Sequence, residues 1–148
     1  MNPVPTQSLT LEEQLRCERE CARLCNDFIW TVDTGDYGGC VALFADHGAI
    51  ERAGQVHRGH AGVRAFLDAR PEGRVTRHTC SNIRIDMTSA TAASGTSCAT
   101  MFQAQAMRDA PLPLKGSTPL FAEYFDDYVL TPQGWKISHR RIVVVFQP

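Results

Sequence analysis

The chain has no apolar run long enough to cross a bilayer as a helix, which removes a helical membrane span from the expectations. It has no excess of charge either. Its 15 Lys and Arg against 16 Asp and Glu leave a formal net charge of −1. A balance of this kind supplies no electrostatic footprint for nucleic acid or an anionic membrane surface. The opening residues lack a basic region followed by an apolar stretch, so no signal peptide is expected. No internal repeat, low-complexity tract or linker interrupts the 148 residues. Tyrosine is scarce, at 3 residues, and this limits the phenolic hydroxyls any site can use.

What is present is ordinary for a globular protein: 43% hydrophobic and 21% charged residues. The length suits one domain with a real core, expected over residues 1–148 with a loose tail at 1–9. With that core a disulfide staple is unnecessary, so the 6 cysteines are expected reduced, in a soluble cytoplasmic protein. Cys17, Cys21 and Cys25 recur every four residues on one helical stripe. Eight residues of helix span roughly 12 Å, too far for three thiolates on one zinc with bonds near ~2.3 Å. They read as small apolar packing, and no metal is expected.

Thr10-Leu11-Glu12-Glu13 has the form of a capping box and opens a helix to about Thr34. Leu15, Cys21, Leu24, Cys25, Phe28, Ile29 and Val32 carry its apolar stripe. A short helix is expected over 37–44, strands over 49–52 and 55–58, and a third helix over 59–69. Strands over 76–88, 90–106, 118–130 and 135–146 follow, with a proline-rich loop at 110–119. Helices segregated from an antiparallel meander imply an α+β fold, with an apolar pocket between helix and sheet.

Within RVTRHTCSNIRID (74–86), Thr76, His78, Cys80 and Asn82 share one parity, while Ile83 and Ile85 share the other. Strict alternation turns His78 away from the isoleucines' face. Either a β-bulge between Thr79 and Asn82, sought at Cys80-Ser81, turns it inward, or the pocket-facing side is the polar one and the isoleucines pack under helices or a partner subunit. Asp33 ends the first helix, where the helix dipole disfavours a carboxylate. It reads either as a turn-former before Thr34-Gly35 or as the group that orients an imidazole for proton abstraction; Asp36 reads as a cap for the second helix. His47, His57 and His60 read as solvated. His139 shares a face with Ile137, Arg141, Val143 and Val145, and lines a pocket mouth or ends a strand in solvent.

Five segments together resemble the SnoaL-like branch of the nuclear transport factor 2-like superfamily. They are Phe28 to Asp33, Phe44-Ala45-Asp46, Gly59 to Val63, Arg77-His78 with Asn82 to Asp86, and Gly134 to Arg140. The branch is similar to scytalone dehydratase, hexachlorocyclohexane dehydrochlorinase and bile acid 7α-dehydratase. The resemblance implies a cone-shaped α+β barrel, three helices packed in a strongly curved mixed or antiparallel sheet. It implies a homodimer or homotrimer, no cofactor, and elimination chemistry on a small, largely apolar, aromatic or alicyclic ring compound. Asp33 and His78 match its catalytic pair. Phe28, Tyr124, His139 and Arg141 are the candidate pocket residues, with Arg140 and Arg141 both near a position where some relatives carry a cation. Phe28 and Val32 stand where the dehydratases carry a tyrosine, and no tyrosine occurs in Ile50-Glu51-Arg52. A non-catalytic ligand-binding or oligomerisation module of the same fold is the alternative. In such a module side chains such as Trp30, Met101 and Phe102 would fill the pocket.

Overall fold

Thr10 starts the first helix as its sequence predicts. Its hydroxyl accepts from the Glu13 N–H, and the Glu13 carboxylate accepts in return from the Thr10 N–H at 2.7 Å. In the computed structural model, which describes residues 9–107 and 109–148, this helix (α1) runs Leu11–Thr34 and stops at Gly35, in the left-handed conformation at φ 74. The expected tail falls almost wholly on residues 1–8, outside the described residues. The buried stripe of α1 is Cys17, Cys21, Leu24, Cys25, Phe28, Ile29 and Val32. Leu15, expected among them, is 55% exposed, and Cys17 takes its place one helical step toward the sheet.

Helix α2 (Tyr37–Ala42) is capped by the Asp36 carboxylate, which accepts from the Gly39 N–H at 2.9 Å. It ends earlier than expected because Phe44 already pairs in the sheet. Strand β1 (Phe44–Arg52) runs parallel to the last strand, with an irregular step between Phe44 and Ala49. At that step Gly48 lies so close to the Ile137 carbonyl that a Cβ would meet it at 2.8 Å, so the bend needs glycine. A tight turn through Ala53 and Gly54, both at positive φ, leads into β2 (Gln55–Arg58). Helix α3 (Gly59–Asp68) then packs on β1. Strands β3 (Arg74–Ser89), β4 (Ala92–Gln105), β5 (Leu120–Thr131) and β6 (Gly134–Phe146) form the expected antiparallel meander.

The architecture is α+β, with a six-stranded mixed sheet in the order β2-β1-β6-β5-β4-β3. The expected cone-shaped barrel is corrected here. β2 and β3 remain as separate edges, and the sheet is neither closed nor strongly curled. The core lies between α1 and the inner sheet face, where Phe44, Ile50, Tyr128 and Ile137 are almost fully buried. No helix among the described residues is long and apolar enough to cross a membrane.

Two bulges decide which side chains face that core. In β3, Ser81 pairs with Cys98 and Arg84 with Thr96, so Asn82 and Ile83 together face only Ser97. Asn82 sits there at φ 51, a conformation that asparagine tolerates better than most residues. The bulge therefore lies just past the expected Cys80-Ser81 pair. It lets Thr76, His78 and Cys80 face inward before it, and Ile83, Ile85 and Met87 after it. In β6, Ile137 pairs with Tyr128 and His139 with Asp127, leaving Ser138 as the extra residue. Trp135 and Ile137 face the core before this second bulge and Arg140 after it.

Candidate active site

The end of α1 meets the start of β3 at Asp33. His78 Nδ1 lies 2.6 Å from Asp33 Oδ1, the His78 backbone N–H donates to Oδ2 at 2.7 Å, and the Thr76 hydroxyl donates to Oδ1 at 2.8 Å. Both side chains of the pair are only 8% exposed. Thr76 in turn accepts from Arg70 Nη2 at 2.8 Å, so a cation stands behind the hydroxyl. The Arg77 guanidinium reaches the Asp33 carbonyl at 3.5 Å, placing positive charge at the negative end of α1.

Burial pushes the Asp33 carboxyl up. The bonds from the His78 ring, the His78 N–H and the Thr76 hydroxyl outweigh it and hold the group below its ordinary value of 3.8. Asp33 is thus a carboxylate at neutral pH and can only accept. Nδ1 therefore carries a proton, and in the neutral imidazole Nε2 is the nitrogen with the free lone pair.

His78 opens onto a cavity of about 340 Å³ between α1, α3 and the sheet. Phe28, Val32, Leu67, Met101 and Ile142 form its apolar wall, and Tyr124 stands opposite. A second, shallower cleft beside Asn26, Ile29 and Trp30 also touches the ring, but Asp33 belongs to that side. Because Nδ1 is turned to Asp33, Nε2 is directed away from it, and the ring borders the cavity that Asp33 does not line. Trp30 and Phe102 are 70% and 50% exposed and do not fill the space; Met101 is part of its wall.

Burial pushes the Tyr124 hydroxyl up to about 12, so it is protonated at neutral pH. Behind Tyr124 and Phe28 lies the fully buried Arg140. Its guanidinium stacks 4.3 Å from the Phe28 ring centre and 4.6 Å from that of Tyr124. It also forks onto Asp126, with Nε to Oδ1 at 2.8 Å and Nη2 to Oδ2 at 2.6 Å. The Tyr128 hydroxyl donates to the same carboxylate at 2.8 Å, and Cys25 Sγ lies 3.0 Å from that hydroxyl. Hydrogen bonding from Cys80 and the neighbouring guanidinium draw the Cys25 thiol down to about 6, against the burial that raises it. Cys25 thus belongs to a buried polar brace, more than the plain packing expected of it. The brace fixes the two rings that line the cavity.

Of the sequence-predicted residues, the structure brings Asp33, His78, Phe28 and Tyr124 together, and it separates His139 and Arg141 from them. The Ser138 bulge turns both to the outer face, where His139 pairs with Glu51 at 3.2 Å and Arg141 lies over the Phe125 ring. Neither borders the His78 cavity. Of the two arginines in question, Arg140 lies beneath the cavity and Arg141 outside it. His47 is exposed as expected. His57 instead packs edge-on against Phe66 of α3 on the cavity wall, and His60, in the first turn of α3, bonds the Phe44 carbonyl at 2.9 Å. Thr76, Arg70, Arg52 and Arg74 were not anticipated. Thr76 shares parity with His78 and could have been found on that ground. Among the described residues, no three His, Cys, Asp or Glu side chains converge as a metal site.

An α+β fold with a buried aspartate–histidine pair on an open cavity defines the class. The chain belongs to the SnoaL-like domain family, whose model matches residues 13–141. Three solved structures are similar over nearly the whole chain. The putative scytalone dehydratase of Novosphingobium aromaticivorans is 23% identical, with a TM-score of 0.76 over 93% of this chain and 89% of its own. A protein of unknown function from Mycobacterium tuberculosis is 23% identical, with a TM-score of 0.79 over 94% and 78%. A type 2 hexachlorocyclohexane dehydrochlorinase is 16% identical, with a TM-score of 0.79 over 93% and 90%. At these identities the likeness is one of fold. No curated protein matches the chain in sequence.

Proposed function

We propose that the protein is a cofactor-independent lyase or isomerase of the dehydratase type, acting on a small ring compound. The observation that carries this reading is the 2.6 Å contact between Asp33 and a histidine that lines the cavity. His78 Nε2 takes a proton from a carbon of the ring. The C–H electron pair becomes the new double bond, and the leaving group departs with its own pair. Asp33 holds the tautomer and balances the charge that develops on the imidazole. The protonated Tyr124 hydroxyl faces the same space and is suited to donate to an oxygen on the substrate. When that oxygen leaves, the imidazolium proton accompanies it as water. No step needs a metal or an organic cofactor.

Proton abstraction can be read without knowing the leaving group. Cyclic ketones and their β-hydroxy derivatives, incubated in D₂O, exchange the acidic C–H for deuterium when a base reaches it, and NMR records the loss. The protein should catalyse exchange for at least one member, and His78→Gln should slow it about 10²–10⁴-fold. Equal exchange by the variant would remove His78 from the role.

A further inference from the structure

Among the described residues, the wall of the His78 cavity carries three arginines and no carboxylate. Arg52 comes from the end of β1, Arg70 from beyond α3, and Arg74 from the start of β3. One strand end and the turn that leads from α3 into β3 thus bring them to one opening. Among the described residues, none of the three lies within 4.0 Å of an acidic side chain. Arg70 uses Nη2 on the Thr76 hydroxyl, Arg74 turns Nε and Nη2 to the Gln103 side-chain oxygen, and Arg52 makes no side-chain hydrogen bond among the described residues. Neutral oxygens thus hold two of the guanidiniums in position, and the nearest carboxylate to Arg70, that of Asp33, is reached only through the Thr76 hydroxyl. Burial, with the repulsion of Arg70 and then Arg52, pulls the Arg74 group below its ordinary value.

Such crowding is unfavourable in the free protein and is not explained by the chain's charge, which is −1 overall. Arginine donates through a planar fork that matches a carboxylate; Arg70 and Arg74 are half-buried, and Arg52 is exposed. The cavity suits a ring as well, since Phe28, Val32, Leu67, Met101 and Ile142 form its apolar wall. A volume of about 340 Å³ accommodates one small ring with its substituents.

We propose that the ligand of this cavity is a cyclic carboxylate, its anionic group held by Arg52, Arg70 and Arg74 and its ring laid against Phe28 toward His78. The proposal deepens the dehydratase reading by naming the substrate class of the same site. Its test uses binding alone, so the two can fail separately.

Isothermal titration with two matched pairs, benzoate against benzamide and cyclohexanecarboxylate against cyclohexanecarboxamide, isolates the charge at constant shape. The acid of at least one pair should bind about ten-fold or more tightly than its amide. Raising the salt concentration should shrink the preference, and Arg52→Gln combined with Arg74→Gln should abolish it. Arg52→Gln alone removes no internal hydrogen bond, so its reduced preference is read on a normally folded protein. His78→Asn should keep the preference even as proton exchange is lost. Equal binding of acid and amide, no binding of either acid at millimolar concentration, or a preference that survives the double substitution would each overturn the proposal.

Discussion

Asp33 Oδ2 accepts the backbone N–H of His78 at 2.7 Å while Oδ1 accepts from the ring of the same residue at 2.6 Å. One carboxylate therefore fixes both the strand position and the ring orientation of its partner. The last turn of α1 and the first residues of β3 are joined at this point, and the site is part of the fold's framework.

Thr76→Val tests the support of that carboxylate. Valine keeps the shape and removes the hydroxyl that links Arg70 to Asp33. Chemical denaturation should show a loss of about 1–3 kcal/mol, the usual range for a bond to a charged group. Dehydration-type activity or proton exchange should fall as well, since the pair loses its third anchor.

Acid should erase the contribution of Asp33. Its carboxyl is held below 3.8 in the folded protein, so it stabilises above that value and ceases to as pH falls through its folded pKa. Thermal melts of the native chain and Asp33→Asn should differ most near neutrality and converge below about pH 4. A difference that is constant down to pH 2 would show that the charge contributes nothing.

The Arg140–Asp126 fork should behave as a buried pair. Asp126→Asn leaves a fully buried guanidinium without its counter-charge and should cost about 3–5 kcal/mol. The cavity rings Phe28 and Tyr124 stack on that guanidinium. The same substitution should therefore weaken ligand binding in protein that is still folded, read by titration at low temperature.

Asn82 marks the bulge that faces His78 inward. At φ 51 a β-branched residue is strained. Asn82→Val should destabilise by about 1–2 kcal/mol in urea titrations, whereas Asn82→Gly should be close to neutral.

The difference between these two bulges explains what could be seen in the sequence. Around His78 the alternation was regular enough that a histidine on the core side demanded an interruption. The interruption is expected at the small Cys80-Ser81 pair, whereas it falls at Asn82, whose tolerance of positive φ is the better mark of its place. In β6 the extra residue is Ser138, which has no comparable signature, so plain alternation placed His139 and Arg141 with Ile137. The helical stripe of α1 was legible because seven buried residues repeat its period. Sheet closure was not, since it depends on how far the edges β2 and β3 curl toward each other, and alternation within a strand carries no such information. The arginine cluster was invisible for a related reason. Arg52, Arg70 and Arg74 meet only after the end of β1 and the turn from α3 into β3 have come together.

The central claim is that Asp33 holds His78 with its proton on Nδ1 and Nε2 free toward the cavity. Long-range ¹H–¹⁵N correlation of the imidazole rings at neutral pH measures this directly. The account predicts a single Nδ1–H tautomer for the resonance that His78→Gln removes, and in Asp33→Asn a reversion toward the mixed tautomers of a free imidazole. An Nε2–H tautomer in the native protein, or a spectrum unchanged by Asp33→Asn, would contradict it.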